Sequence, residues 1–185
     1  MNMASVTSRQ VMKNGMPYEI CLCIDPETKH NAEFLKDQIT SAIKSMSSRS
    51  RWLRFASPLN RFSDKQLDYL TNLDGKNRMA WCALIHEKNQ EKGIGLSRYV
   101  KLTEENNVAE FAVTVVDEFQ GQGVGYALLK KLIGSAMDNG ITILRGYLHP
   151  DNKRMLALCK RLSASISTEN TVCIKADIPV SGDYR

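Results

Sequence analysis

The sequence predicts an α/β fold, with a mixed, mostly antiparallel central sheet flanked by helices. Three observations lead there. The apolar run Val108 to Val116 passes through the glycine-rich stretch Gln120-Gly121-Gln122-Gly123-Val124-Gly125 straight into an amphipathic segment, so strand, loop and helix follow without a break. Three strand-like runs, Met79 to His86, Gly93 to Val100 and Val108 to Val116, are separated only by the polar stretches Glu87 to Lys92 and Thr103 to Asn107. That spacing predicts an antiparallel meander. Apolar residues also recur three and four apart, first in Leu35, Ile39, Ala42, Ile43 and Met46, then in Val124, Leu128 and Leu132. Such spacing puts one apolar stripe on a helix.

The elements follow in order. Residues 1–14 are polar and read as a flexible tail, leaving 15–185 as a single domain. Tyr18 to Ile24 alternates and reads as the first strand. Asp25-Pro26 suits a helix start, an N-cap carboxylate followed by proline where no N–H is needed. Ser63-Asp-Lys-Gln66 matches a capping box and opens a shorter helix through Leu67 and Leu70. After the meander, the helix beyond the glycines runs through Val124, Leu128, Leu132 and Met137 and stops at Gly140, as glycine past a helix end does. Ile141 to Leu148 reads as a strand, Asp151 to Leu162 as a helix with Met155, Leu156, Leu158 and Leu162 inward, and Val172 to Ile178 as a closing strand. The order is β-α-α-β-β-β-α-β-α-β.

Composition narrows the function classes. At 185 residues the chain has room for one ordinary core. No run approaches the length of a membrane span, and residues 1–10 lack an apolar signal region, so the expected location is the cytoplasm. Five scattered cysteines make no disulfide framework. Cys21 and Cys23 share a strand face, but no second ligand pair follows and no histidine spacing completes a site, so no metal is expected. The net charge of +5 favours anionic partners. Arg49, Arg51, Arg54 and Arg61 lie near Trp52 and Phe55. This superficially suggests a nucleic-acid patch, but a solvated or internally paired arginine cluster accounts for it, and no nucleic acid is expected.

The glycine loop carries the chemistry. Glycines let successive N–H groups turn without Cβ obstruction, and a helix N-terminus favours an anion. The loop therefore reads as a phosphate or pyrophosphate site. It is not a P-loop, because Tyr126 and Ala127 follow Gly125 where Lys and Ser or Thr are required. Nor is it a dinucleotide fingerprint: the third glycine is missing, and Ile141 to Leu148 carries no acidic ribose ligand.

The pattern Gln120-x-x-Gly123-x-Gly125 resembles the coenzyme A pyrophosphate loop of the GNAT acetyltransferase superfamily. Ala109-Glu110-Phe-Ala-Val-Thr-Val-Val-Asp117, the loop itself, Asp151-Asn152 through Leu162, and Ser48 to Phe55 are similar to the acetyltransferase domain of bacterial protein lysine acetyltransferases. The resemblance covers roughly residues 15–180. It implies a GNAT fold with a splayed strand pair that takes acetyl-CoA as co-substrate. It implies pantetheine pairing with backbone at Val115 and Val116, and pyrophosphate on the N–H groups of Gln120, Gly121, Gln122, Gly123, Val124, Gly125 and Tyr126. The side chains of Gln122 and Val124 should then matter little and the glycines Gly123 and Gly125 much. Asn152 matches a pantetheine-contacting asparagine, a role compatible with capping its helix.

By the same resemblance Glu110 is the general base. On composition alone a solvated glutamate at a strand's start is the preferred reading. Two departures from the family stand out: Cys159 replaces a leaving-group tyrosine, and Leu162-Ser-Ala-Ser-Ile replaces a Gly-Phe. A core-facing thiol is the expected reading of Cys159. The implied function is N-acetyl transfer to an amine, most naturally a protein lysine ε-amine. A catalytically weak acyl-CoA-binding or sensing module and a small-molecule amine acetyltransferase stay open as alternatives. Acceptor identity, acyl length and oligomeric state are not legible.

Overall fold

A computed structural model describes residues 7–23, 31–57, 59–88 and 90–182. Within them, eight strands form one sheet in the order β1-β2-β3-β4-β5-β6-β8-β7. The strands are β1 (Thr7–Val11), β2 (Pro17–Leu22), β3 (Arg78–Glu87), β4 (Gln90–Lys101), β5 (Val108–Val115), β6 (Ile143–Leu148), β7 (Ser165–Asn170) and β8 (Cys173–Pro179). Five α-helices accompany them: α1 (Ala32–Ser45), α2 (Ser48–Phe55), α3 (Asp64–Thr71), α4 (Val124–Asp138) and α5 (Lys153–Arg161). Only β5 and β6 pair in parallel; the other neighbours are antiparallel.

The meander, the glycine-loop helix and the mixed sheet agree with the sequence reading, and three elements add to it. Residues 7–11 are not a tail but strand β1, registered from Thr7 opposite Cys21 to Val11 opposite Pro17. Ser48–Phe55 is a helix with no buried residue. Ser165–Asn170 is an edge strand exposed along its whole length. The first helix is described from Ala32, where the Asn31 side chain accepts from the N–H of Phe34; Asp25 and Pro26 lie outside the described residues. The capping box at Ser63 and Gln66 is formed in both directions. Gly140 ends α4 at φ +72°, with the N–H of Ile141 reaching back to the carbonyl of Ala136 at 2.9 Å. This is the glycine-dependent stop expected of such a helix end.

Alternation along β3 sorts the core into two layers. Met79, Ala83 and Ile85 join the clusters beneath α4, with Leu128, Leu129, Leu132 and Ile133. Ala80, Cys82 and Leu84 face the other way, against Leu35 and Ile39 of α1. Successive side chains of a strand point to opposite faces, so α1 and α3 cover one face and α4 the other. Between Ala83 and Leu84 the register of β3 with β4 shifts, leaving Ile94 as an extra residue on β4. Such a bulge bends its strand and increases local twist, here beside the end of β5.

Two glycines mark close approaches. A Cβ at Gly95 would meet Leu128 Cδ1 at 2.9 Å, and one at Gly146 would meet Phe111 Cε1 at 2.6 Å. Gly146→Ala is therefore expected to destabilise the fold by about 1–3 kcal/mol, the usual cost of overpacking. Chemical denaturation checks it: the midpoint should fall with the slope unchanged.

Candidate active site

Strands β5 and β6 pair only from Val108 opposite Ile143 to Glu110 opposite Arg145. Beyond Glu110 they part, and the rest of β5 presents one open edge. Which groups face that edge follows from alternation. The N–H of Val116 donates to the carbonyl of Ile94 at 2.9 Å and so faces β4. Backbone groups alternate sides along a strand, so the N–H groups of Val113 and Val115 face the gap. Val116 is thus turned away from the edge expected to hold pantetheine, and its side chain is buried. The carbonyl of Val115 is taken by the Nε2 of Gln120 at 3.0 Å, leaving the N–H.

The loop at the end of β5 leaves a run of backbone N–H groups without acceptors among the described residues. Gly121 and Gly123 both have left-handed φ, +78° and +96°. The Gln120 N–H is paired with Asp117 O, and the first bond of α4 runs from Ala127 N to Gly123 O. Between those two, the N–H groups of Gly121, Gln122, Gly123, Val124, Gly125 and Tyr126 have no acceptor among the described residues. Six successive donors at the start of a 15-residue helix are an arrangement that can take an anion, as helix N-termini can.

The structure separates roles that the motif alone leaves merged. Gly123 requires glycine or a residue tolerant of left-handed backbone. Gly125 does not: an added Cβ there would sit 3.5 Å from Leu158 and 3.6 Å from Val115, ordinary contact. Gly121, not Gly125, is the second position where conformation demands glycine. Val124 and Gln122 are not incidental either. Val124 is buried with Val116, Phe119 and Leu128. Gln122 anchors the β1–β2 hairpin, its Oε1 accepting from Asn14 N at 3.2 Å and its carbonyl from Lys13 N at 3.2 Å. Tyr126 lies half-buried beneath the guanidinium of Arg161, 3.9 Å from its ring centre.

Helix α2 is held to this loop by a cluster that sequence reasoning missed. Asp117 accepts from the N–H and hydroxyl of Ser47 at 2.9 and 3.0 Å and from the Ser50 hydroxyl at 2.5 Å. Gln120 reaches Ser50 as well, and its Oε1 accepts from Arg154 of α5 at 2.7 Å. At the far side Trp52 meets His149 edge-on, centroids 6.4 Å apart. Burial opposes the ionisation of Asp117, but the bonds from Ser50 and Ser47 outweigh it and hold its pKa below the ordinary value. A depressed carboxyl pKa contributes stability that is complete above the unfolded value near 3.9 and is lost as pH falls through the folded value. Asp117→Asn should therefore be less stable than the parent by about 1–2 kcal/mol at neutral pH. The gap should close in acid as pH falls through the folded value of Asp117, as urea melts at several pH values would show.

Glu110 is exposed and shares the α1 face with Ala112 and Thr114. Two arginines flank it electrostatically. Arg98 stands opposite Ala112 on β4, and Arg54 of α2 donates from Nε to Thr114 Oγ1 at 3.0 Å. Burial, then the like charge of Arg98, pushes the Arg54 guanidinium down to about 10, with Glu110 opposing. The available signal was the pair Leu96 and Arg98, two residues apart on β4: it puts a charge on the face that Leu96 turns toward α1.

Asn152 caps α5, its Oδ1 accepting from Met155 N at 3.2 Å, while its side-chain NH2 has no acceptor among the described residues. Cys159 is buried, and burial pushes its thiol up to about 12. That agrees with a core thiol. Among the described residues no three His, Cys, Asp or Glu side chains gather as metal ligands, and no helix is long and apolar enough to cross a membrane.

Comparison with known proteins follows the same lines. The family model described as the acetyltransferase (GNAT) family matches residues 48–163. An acetyltransferase of Pseudomonas aeruginosa is 34% identical over 117 residues, 63% of this chain and 62% of that protein. The acetyltransferase Pat of Mycolicibacterium smegmatis is 30% identical over 135 residues, 72% of this chain and 40% of that protein. The match thus spans less than two thirds of either relative's length. The GNAT domain of S. lividans PAT superposes with a TM-score of 0.81 at 22% identity, over 97% of this chain and 99% of that one.

Proposed function

The chain belongs to the acetyltransferase (GNAT) family, and from that premise we propose that it moves acetyl from acetyl-CoA to an amine, with Glu110 as general base and a protein lysine as acceptor. The observation that carries the reading is the junction of two features. Six successive N–H groups, Gly121 to Tyr126, have no acceptor among the described residues, and they adjoin the open edge of β5. The first suits a pyrophosphate, the second an extended pantetheine arm added like a strand. The side-chain NH2 of Asn152 suits a carbonyl of that arm.

Acetyl-CoA would supply the acetyl group as a thioester. The chain's own residues then have three tasks. The loop N–H groups fix the cofactor's charged end. The N–H groups of Val113 and Val115, facing the gap, are placed to polarise the thioester oxygen as negative charge builds on it. Glu110 takes a proton from the incoming ammonium. A free lysine has pKa near 10.4, so at pH 7 its neutral form costs about 4.6 kcal/mol, and a positioned base offsets part of that. Cys159 is buried and its thiol pushed up to about 12, so no leaving-group role is assigned to it.

Two observations support a protein acceptor over a polyamine or aminoglycoside. Glu110 is exposed, accessible to a side chain carried on a folded surface. The cavity beside it presents Arg54 and Arg98, which repel a polycation, where a polyamine site needs carboxylates. Five free cysteines suit a reducing cytoplasm. The test of the acceptor is a screen with acetyl-CoA. Protein lysines should be modified above the spontaneous background. Efficient acetylation of a polyamine or aminoglycoside with no protein lysine modified would overturn the acceptor class and leave the cofactor site standing.

A further inference from the structure

The α1 face holds a feature that proton abstraction does not use. A largely apolar cavity of about 70 Å³ lies between the sheet and α1, walled by Ile39, Ile43, Phe55, Phe62 and Leu96, and both Arg54 and Arg98 line it. Arg98 is only 8% exposed. Its Nε and Nη2 are buried and have no hydrogen-bond partner among the described residues. Tyr69 covers the group, its ring centre 5.2 Å from the guanidinium carbon. No carboxylate pairs with either arginine among the described residues; Glu110 acts on both only at longer range.

Two cations lining one apolar space are costly to bury unpaired. The orphaned pair of nitrogens on Arg98 is one edge of a guanidinium fork, the geometry that takes both oxygens of a carboxylate. The position relates it to the reacting amine. Arg98 is registered opposite Ala112, two residues from Glu110 on the same face. Along a strand that is a step of about 7 Å.

We propose that Arg98, seconded by Arg54, forms a carboxylate subsite, and that it holds an acidic group carried by the amine acceptor. The proposal rests on the acyl-transfer reading of the Glu110 face and deepens it: the acceptor is an amine with a carboxylate close by. The cavity that both arginines line, about 70 Å³, sets the size of that group at a carboxylate with one or two methylenes, and because Nε and Nη2 are closed off as they stand, Tyr69 must shift for it to reach them.

The test has two arms on the full chain. In the first, thermal unfolding is followed without acetyl-CoA in sodium propionate and in sodium chloride of equal ionic strength. A millimolar site should raise the midpoint by about 3–5 °C in 50 mM propionate over chloride, and Arg98→Met should abolish the difference. Methionine is chosen because replacing a buried charge by an apolar side chain of similar length is often tolerated. In the second arm, acetyl transfer is measured on matched pairs: a lysine peptide flanked by Glu or by Gln, and free lysine against lysine amide. The acidic member of at least one pair should have a kcat/KM about tenfold higher or more. Which pair responds tells an acidic side chain from an α-carboxylate. Arg98→Met should erase the preference, and Arg98→Lys should keep part of it.

The proposal is overturned if propionate and chloride give the same midpoint, if the propionate shift survives in Arg98→Met, or if neither acidic acceptor outperforms its amide. Loss of all transfer with the propionate shift intact would sink the acyl-transfer reading and leave the carboxylate site standing. Where Arg98→Met does not fold, the parent's propionate shift and its acceptor preference decide.

Discussion

Gly123→Asp is expected to lower acetyl-CoA affinity by about 100-fold or more while the chain stays folded. Gly123 sits at φ +96° as the N-cap of α4, and nothing lies within 4 Å of where its Cβ would be. Asp is among the non-glycine residues that enter left-handed backbone at least cost, so the substitution strains the loop only modestly. What it changes is the site. A carboxylate now competes for the loop N–H groups and faces the pyrophosphate with like charge. A hundredfold loss corresponds to about 2.8 kcal/mol, within reach of a charge reversal at a charge-assisted site. Calorimetry reads it directly. Gly125→Ala is the matched control: its backbone is not left-handed and its Cβ would make only ordinary contacts, so any effect there reports crowding of the ligand and not of the fold.

Glu110→Gln is expected to cut turnover at pH 7 by about 100-fold or more, in the range for loss of a general base, with acetyl-CoA affinity little changed. Glutamine keeps shape and hydrogen bonding but not basicity. The side chain is exposed and in no ion pair with Arg54 or Arg98, so its loss should leave the fold stable. The deficit should shrink as pH rises toward the amine's own pKa, because the acceptor then deprotonates unaided. A variant with near-normal turnover at pH 7 would remove Glu110 from the mechanism.

What was legible in the sequence was what local rules encode. The capping box at Ser63, the apolar stripe of α4, the glycine stop at Gly140 and the β3–β4–β5 meander each depend on neighbours a few residues apart. The rest depends on partners far along the chain. Strand β7 reads Ser-Ile-Ser-Thr-Glu-Asn and is exposed throughout, so no burial pattern marks it; pairing with β8 makes it a strand. Helix α2 has no buried residue and gains its place from Asp117, 67 positions from Ser50. In the site, the loop pattern points to a run of N–H groups that have no acceptor among the described residues, but torsions decide which glycines are obligatory, and these favour Gly121 over Gly125. Val116 was placed on the open edge because strand polarity cannot be read without the bulge at Ile94 that fixes the pairing. Arg98 was passed over because a charge at an inward position looks like noise until its cavity is seen.

The measurement closest to the central claim is coenzyme A release from acetyl-CoA in the presence of a protein panel from a lysate, with acetyl sites mapped by mass spectrometry for the parent chain and for Glu110→Gln side by side. Release that depends on acceptor, with lysine sites well above chemical background in the parent and reduced about a hundredfold in the variant, is the predicted result. Coenzyme A release no faster than hydrolysis, or the same lysines modified to the same extent by both proteins, would contradict it.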